Sequence, residues 1–307
     1  KAIRRQRQMC IRDRGTMRGV QLAGISNISG DNTVGLSAAG LVNITGDRAQ
    51  GVVISGLTSI GGDNNSGLMI SGFMNVTGNM ASGLHFSGAA NITGQSFGGL
   101  MASGLLNVVG EHMNGLQIAG IANITASKLN GMQIALCNYA TQARGLQIGL
   151  VNYYKEDMKG FQLGLVNANP DTRVQMMVYG GNATPANIGV RFKNQLFYTI
   201  LGVGSMYQGL NDKFSASASY RAGLSFPLYK GLSISGDLGY QHIEAFDNKD
   251  EVIPKRLYAL QARANLEYQF TRKFGIFATG GYGLTRFYNK SSNYDKGAII
   301  EAGIVLF

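Results

Sequence analysis

The sequence predicts an all-β protein with two parts, an N-terminal parallel β-solenoid and a C-terminal eight-stranded antiparallel transmembrane β-barrel. Three observations predict this fold class. Glycines recur every sixteen residues in the first half, and long segments of alternating apolar and polar residues follow Pro170. Charged residues are sparse before that point and frequent after it. The predicted units are therefore residues 15–169 for the solenoid and 170–307 for the barrel.

Residues 1–14 are set apart from both parts. The stretch RRQRQMCIRDR, Arg4 to Arg14, resembles one translated frame of a transposase-type sequencing adapter, residue for residue. We interpret it as an artefact of metagenomic shotgun assembly joined to a truncated reading frame; the alternative is a genuine basic arm. Without it the formal net charge falls from +10 to +5, because six positive charges and one negative charge are removed.

The first half is a repeat with a fixed period. Its clearest unit is GLMISGFMNVTGNMAS, Gly67 to Ser82, and two shorter units and a fragment follow the sixteen-residue ones. A fixed period of this length is typical of stacked supersecondary units. The period is marked by Gly19, Gly35, Gly51, Gly67, Gly83, Gly99, Gly115 and Gly131.

Each unit predicts two short strands. Its second and fourth residues are apolar, as in Leu68 and Ile70, and this alternation predicts a strand whose apolar face is buried. Glycine at the sixth position, such as Gly72, predicts a bend, and a second short strand is predicted to follow, with Ile or Val at the tenth position. About four glycines per unit disfavour helices. We therefore predict nine to ten coils, stacked about 4.8 Å apart.

Asparagine occupies the ninth position of nearly every unit, with Ser59 as the exception. Stacked identical amides can hydrogen-bond along the axis of a stack, so the sequence predicts a structural asparagine ladder. N-glycosylation at the Asn-x-Ser/Thr triplets and a flat ice-binding face are the disfavoured alternatives. The predicted ladder comprises Asn27, Asn43, Asn75, Asn91, Asn107, Asn123, Asn138, Asn152 and Asn167.

The second half has the alternation of a membrane barrel. From Arg256 to Thr271, one face of the predicted strand carries leucines, alanines and aromatics, and the other carries charges and amides. A transmembrane barrel needs lipid-facing residues outside, polar residues inside and aromatic girdles at both interfaces. The predicted interior residues are Arg191, Arg221, Asp237, Arg263 and Glu267, and the predicted girdle residues are Tyr220, Phe226, Tyr240, Tyr258, Tyr268 and Phe270.

Eight strands are predicted in this half, with connections that alternate in length. Short turns follow the second, fourth and sixth strands, and longer polar loops follow the others. Short turns of outer-membrane barrels face the periplasm, so we expect both barrel ends, and with them the solenoid, on that side. The predicted strands are approximately 173–180, 186–193, 195–207, 216–229, 231–243, 256–270, 274–287 and 297–307.

The motifs of catalysis, cofactor binding and metal binding are missing from the sequence. We therefore predict no catalytic residues, no cofactor, no metal site and no nucleic-acid partner. An eight-stranded barrel has room only for side chains, so its interior charges predict an ion-pair plug, with a narrow gated pore as the alternative. His242 and Glu244 share a face, and a surface pair is favoured over a hydrolase dyad. Cys137 has no cysteine partner outside the adapter-like segment.

Two family resemblances agree with this interpretation. Residues 172–307 resemble a small eight-stranded outer-membrane barrel of Gram-negative bacteria, and the ending AGIVLF, with Phe307 last, resembles the signal that such barrels present to their assembly machinery. The units GLQIGLVN and GFQLGLVN resemble the repeats of bacterial surface repeat-containing proteins. That family's name implies surface exposure, whereas the loop lengths favour the periplasm, which we prefer for the solenoid.

The resemblances imply a non-enzymatic, outer-membrane-anchored repeat protein of the cell envelope. The barrel is expected to anchor the chain, and the solenoid is expected to be a rigid interaction scaffold. The implied partners are outer-membrane lipid, the barrel assembly machinery and an envelope or surface component. The alternatives are a surface adhesin with an external solenoid, and a small pore or lipid-active barrel enzyme.

Overall fold

A computed structural model of the chain describes residues 10–13, 15–205, 214–246, 256–288 and 293–307, and all their regular elements are β-strands. The Cα positions divide the chain into two compact units, Lys1–Gly164 and Leu165–Phe307. The predicted fold class, a parallel solenoid and a closed eight-stranded antiparallel barrel, is confirmed. The limits 15–169 and 170–307 stay a prediction. No helix among the described residues is long and apolar enough to cross a membrane.

The parallel sheet is built from coils, most of which contain one longer strand and one strand of four residues. Its first strand falls in the adapter-like segment, whose origin stays a prediction, and residues 1–9 and 14 lie outside the described residues. The strands are β1 (Cys10–Asp13), β2 (Met17–Ala23), β3 (Ser26–Ser29), β4 (Thr33–Ala39), β5 (Val42–Thr45), β6 (Arg48–Ser55), β7 (Thr58–Gly61), β8 (Asn64–Ser71), β9 (Met74–Thr77), β10 (Met80–Ser87), β11 (Ala90–Thr93), β12 (Ser96–Ser103), β13 (Leu106–Val109), β14 (His112–Ala119), β15 (Ala122–Ile134), β16 (Cys137–Ile148), β17 (Val151–Leu163) and β18 (Val166–Ala168).

Successive coils stack in parallel and in register. Gly83 in β10 pairs with Gly67 in β8 on one side and with Gly99 in β12 on the other. Asn91 in β11 is placed in the same way between Asn75 and Asn107. The sixteen-residue period therefore sets each residue type directly against its own copy in the next coil, so that contacts are made mainly between neighbouring repeats.

The first glycine of each unit forms a corner that other residues cannot easily form. From Gly19 to Gly160, ten such glycines have φ between +104° and +144°, a region that residues with a side chain rarely adopt. A Cβ on Gly99 would also overlap the carbonyl oxygen of Gly83 in the preceding coil. The glycine at the sixth position is equally restricted, since a Cβ on Gly88 would overlap the carbonyl oxygen of Gly72. The stack is thus as close as its backbone allows.

The last units are shorter, and the stack absorbs the difference at its corners. The first glycines Gly131, Gly145 and Gly160 are fourteen and fifteen residues apart instead of sixteen. The register between β15 and β16 shifts once, between Thr125 and Lys128, and the pairing is regular on both sides of the shift. Strand pairing therefore tolerates deletions at the corners of a coil.

The interior of the coils is lined largely by polar side chains, so the expectation of a buried apolar face was wrong. Met69 and Ser71, at the third and fifth positions, are buried, whereas Ile70 at the fourth position is 36% exposed. In a narrow stack the amides and hydroxyls of successive coils can hydrogen-bond to one another along the axis. The alternation of apolar and polar residues within a single strand does not reveal these bonds between coils. The apolar part of the interior is a cluster of Ala81, Phe97, Met101, Val109, Met113, Leu129, Ala140, Ala143 and Tyr154.

The second unit contains a closed antiparallel barrel of eight strands. Each observed strand overlaps a predicted one. Turns of two residues follow the second, fourth and sixth strands, and the longer loops after the third, fifth and seventh fall largely on 206–213, 247–255 and 289–292, outside the described residues. The strands are β19 (Arg173–Gly181), β20 (Ala186–Asn194), β21 (Phe197–Ser205), β22 (Ser215–Tyr229), β23 (Leu232–Ala245), β24 (Arg256–Thr271), β25 (Phe274–Phe287) and β26 (Asn293–Leu306).

The barrel has apolar side chains outside and polar side chains inside. On β24, Leu260 and Leu266 are half exposed, whereas Arg263 and Glu267 are at most 7% exposed. Outward residues on other strands follow the same rule, and Leu238 on β23 is 71% exposed. This is the reverse of a water-soluble barrel, which keeps its large apolar side chains inside.

Candidate functional site

Asparagine side chains form a hydrogen-bonded ladder inside the solenoid. Nδ2 of Asn91 donates to Oδ1 of Asn107, and Nδ2 of Asn107 donates to Oδ1 of Asn123, both at 2.9 Å. Asn107 also donates to the carbonyl oxygen of Ile118 at 2.7 Å. These amide bonds run without a break through Asn75, Asn91, Asn107, Asn123, Asn138 and Asn152, and they also join Asn27 to Asn43.

The remaining members of the column fit the same position. Ser59 replaces the amide between Asn43 and Asn75, and its hydroxyl lies 2.7 Å from the hydroxyl of Ser55. Asn167 is buried on β18. Nearly all the donors and acceptors of this column are satisfied within the protein, so the ladder contributes rigidity and offers little free chemistry to a ligand.

A second ladder, of glutamines, is missed by sequence reasoning. Gln133 donates to Gln117, Gln147 to Gln133 and Gln162 to Gln147, each at 2.8 Å. All four side chains are buried. The signal is present at the third position of the last units, in GLQI, GMQI, GLQI and GFQL. Placing the second and fourth positions inside hides it, because the third position is then assigned to solvent.

Removing one rung of the asparagine ladder is expected to weaken the solenoid. Asn107→Ala leaves Nδ2 of Asn91 and Oδ1 of Asn123 buried without the bonds to Asn107, and we expect a loss of about 2–4 kcal/mol. Asn114→Ala removes an amide from the exposed surface of the next coil, and we expect it to change stability by no more than about 0.5 kcal/mol. Hydrogen–deuterium exchange of the full chain measures both, and equal protection in the two variants would contradict the ladder's role.

His85 interrupts the interior column in which the glutamines lie. It is 2% exposed and stands in register between Met69 and Met101. The ring packs edge-on against Phe97, with centroids 4.9 Å apart. Burial lowers the pKa of His85 to about 4, so the ring is neutral at physiological pH.

The solenoid is therefore expected to lose stability on acidification. Below pH 6.5 the unfolded chain takes up a proton at His85, whereas the folded chain does so only near pH 4. The free energy of unfolding contains a contribution from the neutral His85 ring that is fully present above pH 6.5. This contribution falls as the pH drops to 4, by up to about 3 kcal/mol. His85→Met introduces the residue that the two neighbouring coils carry at this position. It should remove the pH-dependent loss of stability. Exchange protection measured between pH 7 and 4 tests this, and identical profiles for the two chains would contradict it.

Three arginines and three acids fill the described part of the barrel interior. All six side chains are at most 7% exposed. Arg221 and Glu301 approach within 3.6 Å, which joins two of the pairs into one network. Glu301 is the member that the sequence prediction omits, since its segment is apolar on both faces. The pairs are Arg191 with Glu267 at 2.6 Å, Arg221 with Asp237 at 2.8 Å, and Arg263 with Glu301 at 3.1 Å.

Neutral side chains complete the network. The Tyr198 hydroxyl donates to Asp237 at 2.7 Å, and Nδ2 of Asn265 donates to the same carboxylate at 2.8 Å. Oε1 of Gln175 accepts two bonds from Arg191, at 2.7 and 2.9 Å. The cavity among these groups has a volume of about 10 Å³, room for about one water molecule. Adjoining apolar side chains are Met177, Tyr179, Ile200, Phe277 and Val305.

Aromatic side chains cluster at both ends of the barrel's outer surface. At one end, Tyr258 lies 6.2 Å from Tyr240 and 5.1 Å from Tyr288 between ring centroids. At the other end, Tyr268 and Phe270 are 4.9 Å apart. Twelve residues separate Tyr258 from Phe270 on β24, which corresponds to about 28–33 Å along the axis of a tilted-strand barrel. The two clusters are thus separated by about the thickness of a bilayer's hydrocarbon core.

The other predicted surface residues lie close to these clusters or at the chain end. Phe226 is 46% exposed, and Tyr220 is paired with Tyr240 across β22 and β23. Phe307 follows β26 and is exposed; its role as an assembly signal stays a prediction.

The two residues weighed as a hydrolase dyad bind different partners. Nδ1 of His242 lies 2.7 Å from the Tyr288 hydroxyl, whereas Glu244 pairs with Arg256 at 3.2 Å. Cys137 is free and exposed. No group of three potential metal ligands occurs within the part of the chain that the structure describes. The chemistry of the chain is thus concentrated in its interior ladders and its ion-pair network.

Comparison with known proteins yields similarity of limited extent. No protein-family profile matches the chain, and no curated protein is similar to it. Among solved structures, the N-terminal β-barrel domain of Pseudomonas aeruginosa OprF is similar at 14% sequence identity, over 43% of this chain and 93% of that one, with a TM-score of 0.32. The fold assignment of this chain therefore rests on its own strand pairing.

Proposed function

We propose that the chain is a non-enzymatic outer-membrane protein, with the barrel as its membrane anchor and the solenoid as a rigid interaction scaffold in the cell envelope. The observation that carries the proposal is the sidedness of the barrel wall. Leucines such as Leu260 and Leu266 face outward, and the ions Arg263 and Glu267 face inward. Water disfavours that arrangement, whereas a bilayer requires it.

Two further features support the anchor. The barrel is closed by pairing of β19 with β26, so its backbone presents no open sheet edge, and hydrocarbon tolerates no such edge. The aromatic clusters at the two ends have about the spacing of bilayer interfaces. The proposed location is therefore an outer membrane, where barrels of this kind are found.

Anchoring can be tested directly because the chain contains no tryptophan. In the full chain refolded into vesicles, Leu238→Trp introduces a single indole at an outward position in the middle of β23. Acyl-chain-brominated phosphatidylcholine is expected to quench its fluorescence strongly. Lys230→Trp, in the two-residue turn before β23, is the matched control and should be quenched weakly. Equal, weak quenching of both variants would refute the anchor.

The interior supports an anchor more than a pore. Each buried charge that the structure describes in the barrel has an oppositely charged partner, and the cavity among them admits about one water molecule. We expect no single-channel conductance in planar bilayers. Reproducible conductance steps that disappear in a control lacking the protein would replace the anchor with the pore alternative.

We place the solenoid on the periplasmic side. Arg173 begins β19 and Leu306 ends β26 at the barrel end that carries the two-residue turns, and short turns of outer-membrane barrels are periplasmic. Protease added to intact cells should therefore leave residues 15–164 uncut until the outer membrane is permeabilised. Cleavage there in sealed cells would favour the surface adhesin instead.

A further inference from the structure

Each coil of the solenoid has three outer sides, separated by corners. The first side carries the second and fourth positions of a unit, the second side carries the eighth and tenth, and the third side carries the fourteenth and sixteenth. The seventh position lies at the corner between the first and second sides. In one coil the three sides carry, in that order, Leu68 and Ile70, Met74 and Val76, and Asn64 and Ser66.

The first side and the corner after it are apolar in every coil. From Val20 to Leu163, the second, fourth and seventh positions contain no charged residue. Many of these side chains are between 36% and 71% exposed. They include Val20, Leu22, Ile54, Ile70, Phe73, Leu84, Ile118, Ile121, Phe161 and Leu163.

The second side continues the apolar surface around the corner. Its tenth position carries a β-branched residue in seven successive coils and a tyrosine in the next two. Those two tyrosines, Tyr139 and Tyr153, stack with centroids 5.8 Å apart. The eighth position is also uncharged throughout. The β-branched residues are Ile28, Ile44, Ile60, Val76, Ile92, Val108 and Ile124.

Between residues 15 and 164, the charges of the solenoid are confined to the third side and the corner before it. The distribution follows from the register, because charged residues in this range occur only from the twelfth to the sixteenth position of a unit. The solenoid is therefore amphipathic across its width, although its interior is largely polar. The charged residues are Arg18, Asp31, Asp47, Arg48, Asp63, Glu111, Lys128, Arg144, Lys155, Glu156, Asp157 and Lys159.

The size and shape of the apolar surface indicate what covers it. Ten coils spaced by about 4.8 Å, with two sides each about 13 Å wide, present roughly 1,200 Å², which is well above the 300–600 Å² typical of the largest apolar patch on a soluble monomer. One flat partner can cover a single side, but it cannot also cover the side beyond the corner. A fluid hydrocarbon phase covers both.

The rest of the solenoid meets the conditions that hydrocarbon imposes. Backbone groups pair with the coils above and below, and the interior amides bond to one another, so few polar groups of the two apolar sides need water. The barrel wall of the same chain has the same inversion, with apolar residues outside and polar residues inside. We infer that the solenoid binds lipid, with its first and second sides against the acyl chains of a phospholipid bilayer and its charged third side toward water. This inference rests on the proposed membrane anchoring and names the partner of the scaffold.

Three single-tryptophan variants of the full chain test the inference in vesicles containing acyl-chain-brominated phosphatidylcholine. Phe73→Trp reports on the apolar corner, Ser82→Trp on the third side of a neighbouring coil, and Leu238→Trp on the barrel wall. Because bromine quenches only indoles that contact the acyl chains, we expect an emission loss of about twofold or more for Phe73→Trp and Leu238→Trp. The emission of Ser82→Trp should be nearly unchanged.

The outcomes separate this inference from the proposed anchor. Quenching of Leu238→Trp without quenching of Phe73→Trp would overturn lipid binding by the solenoid and leave the anchor intact. Weak quenching of both would overturn both. If Phe73→Trp is unquenched but its emission shifts to the blue as the protein-to-lipid ratio rises, a second copy of the chain covers the surface, and the lipid assignment is wrong.

Discussion

Replacing Gly99 by alanine is expected to disrupt the solenoid, whereas the same change at Gly98, one residue earlier, is expected to be tolerated. Gly99 has φ of +127°, and a Cβ there would overlap the carbonyl oxygen of Gly83. Strained φ alone costs about 1–3 kcal/mol, and the overlap forces two hydrogen-bonded strands apart, so a total loss of several kcal/mol is expected. A Cβ on Gly98 would meet no atom within 4 Å, and alanine there should be neutral or stabilising by up to about 1 kcal/mol.

Hydrogen–deuterium exchange of the full chain distinguishes the two glycine variants. Because each coil contacts mainly its neighbours, Gly99→Ala should deprotect the peptides that cover roughly residues 83–118 first. Gly98→Ala, in the same strand, controls for the added methyl group and for lost backbone freedom. Equal protection in the two variants would show that the close stacking of the corners is not what limits the sequence there.

Removing one carboxylate from the barrel interior is expected to destabilise the barrel by about 3–5 kcal/mol. Glu267 is 4% exposed and accepts two bonds from Arg191, at 2.6 and 2.9 Å. Glu267→Ala leaves that guanidinium buried without its counter-charge. At the rim, Glu244 pairs with Arg256 in the open, and Glu244→Ala should cost no more than about 1 kcal/mol.

Urea titration of the folded barrel in lipid vesicles measures these differences. The double variant Arg191→Met with Glu267→Leu removes both charges and should recover most of the loss, because apolar replacement of a complete buried pair is often neutral. Recovery would show that the single variant fails through an uncompensated charge. If Glu267→Ala and Glu244→Ala were equally stable, the interior network would contribute little to the barrel.

The sequence predicts the barrel well where one strand face is clearly polar. On β24 the alternation of Leu260 and Arg263 gives both the strand and its inward face. The alternation does not assign an inward face to β21 and β26, because their segments are apolar on both faces. In these two strands the structure places Tyr198, Ile200 and Glu301 inside. Local alternation shows which residues share a face, but closure of the barrel decides which face is enclosed.

The sequence predicts the period of the solenoid but not which side chains face its interior. Sixteen-residue spacing is sufficient to predict stacked coils and an amide ladder at the ninth position. The prediction that Ile70 is buried is wrong, because the rule that puts apolar side chains inside is derived from water-soluble strands. In this stack, bonds between coils allow glutamine and asparagine to occupy the interior, and that interaction spans sixteen residues.

The tolerance of the coil corners to deletion has a genetic consequence. Units of sixteen, fourteen and fifteen residues each form one coil of the same stack. Gain or loss of a whole unit by recombination between repeats would therefore leave the neighbouring coils unchanged. Alleles and paralogues of this gene should therefore differ in copy number by entire units, each adding about 4.8 Å of height. Length polymorphism of this kind would vary the length of the solenoid while conserving how it folds.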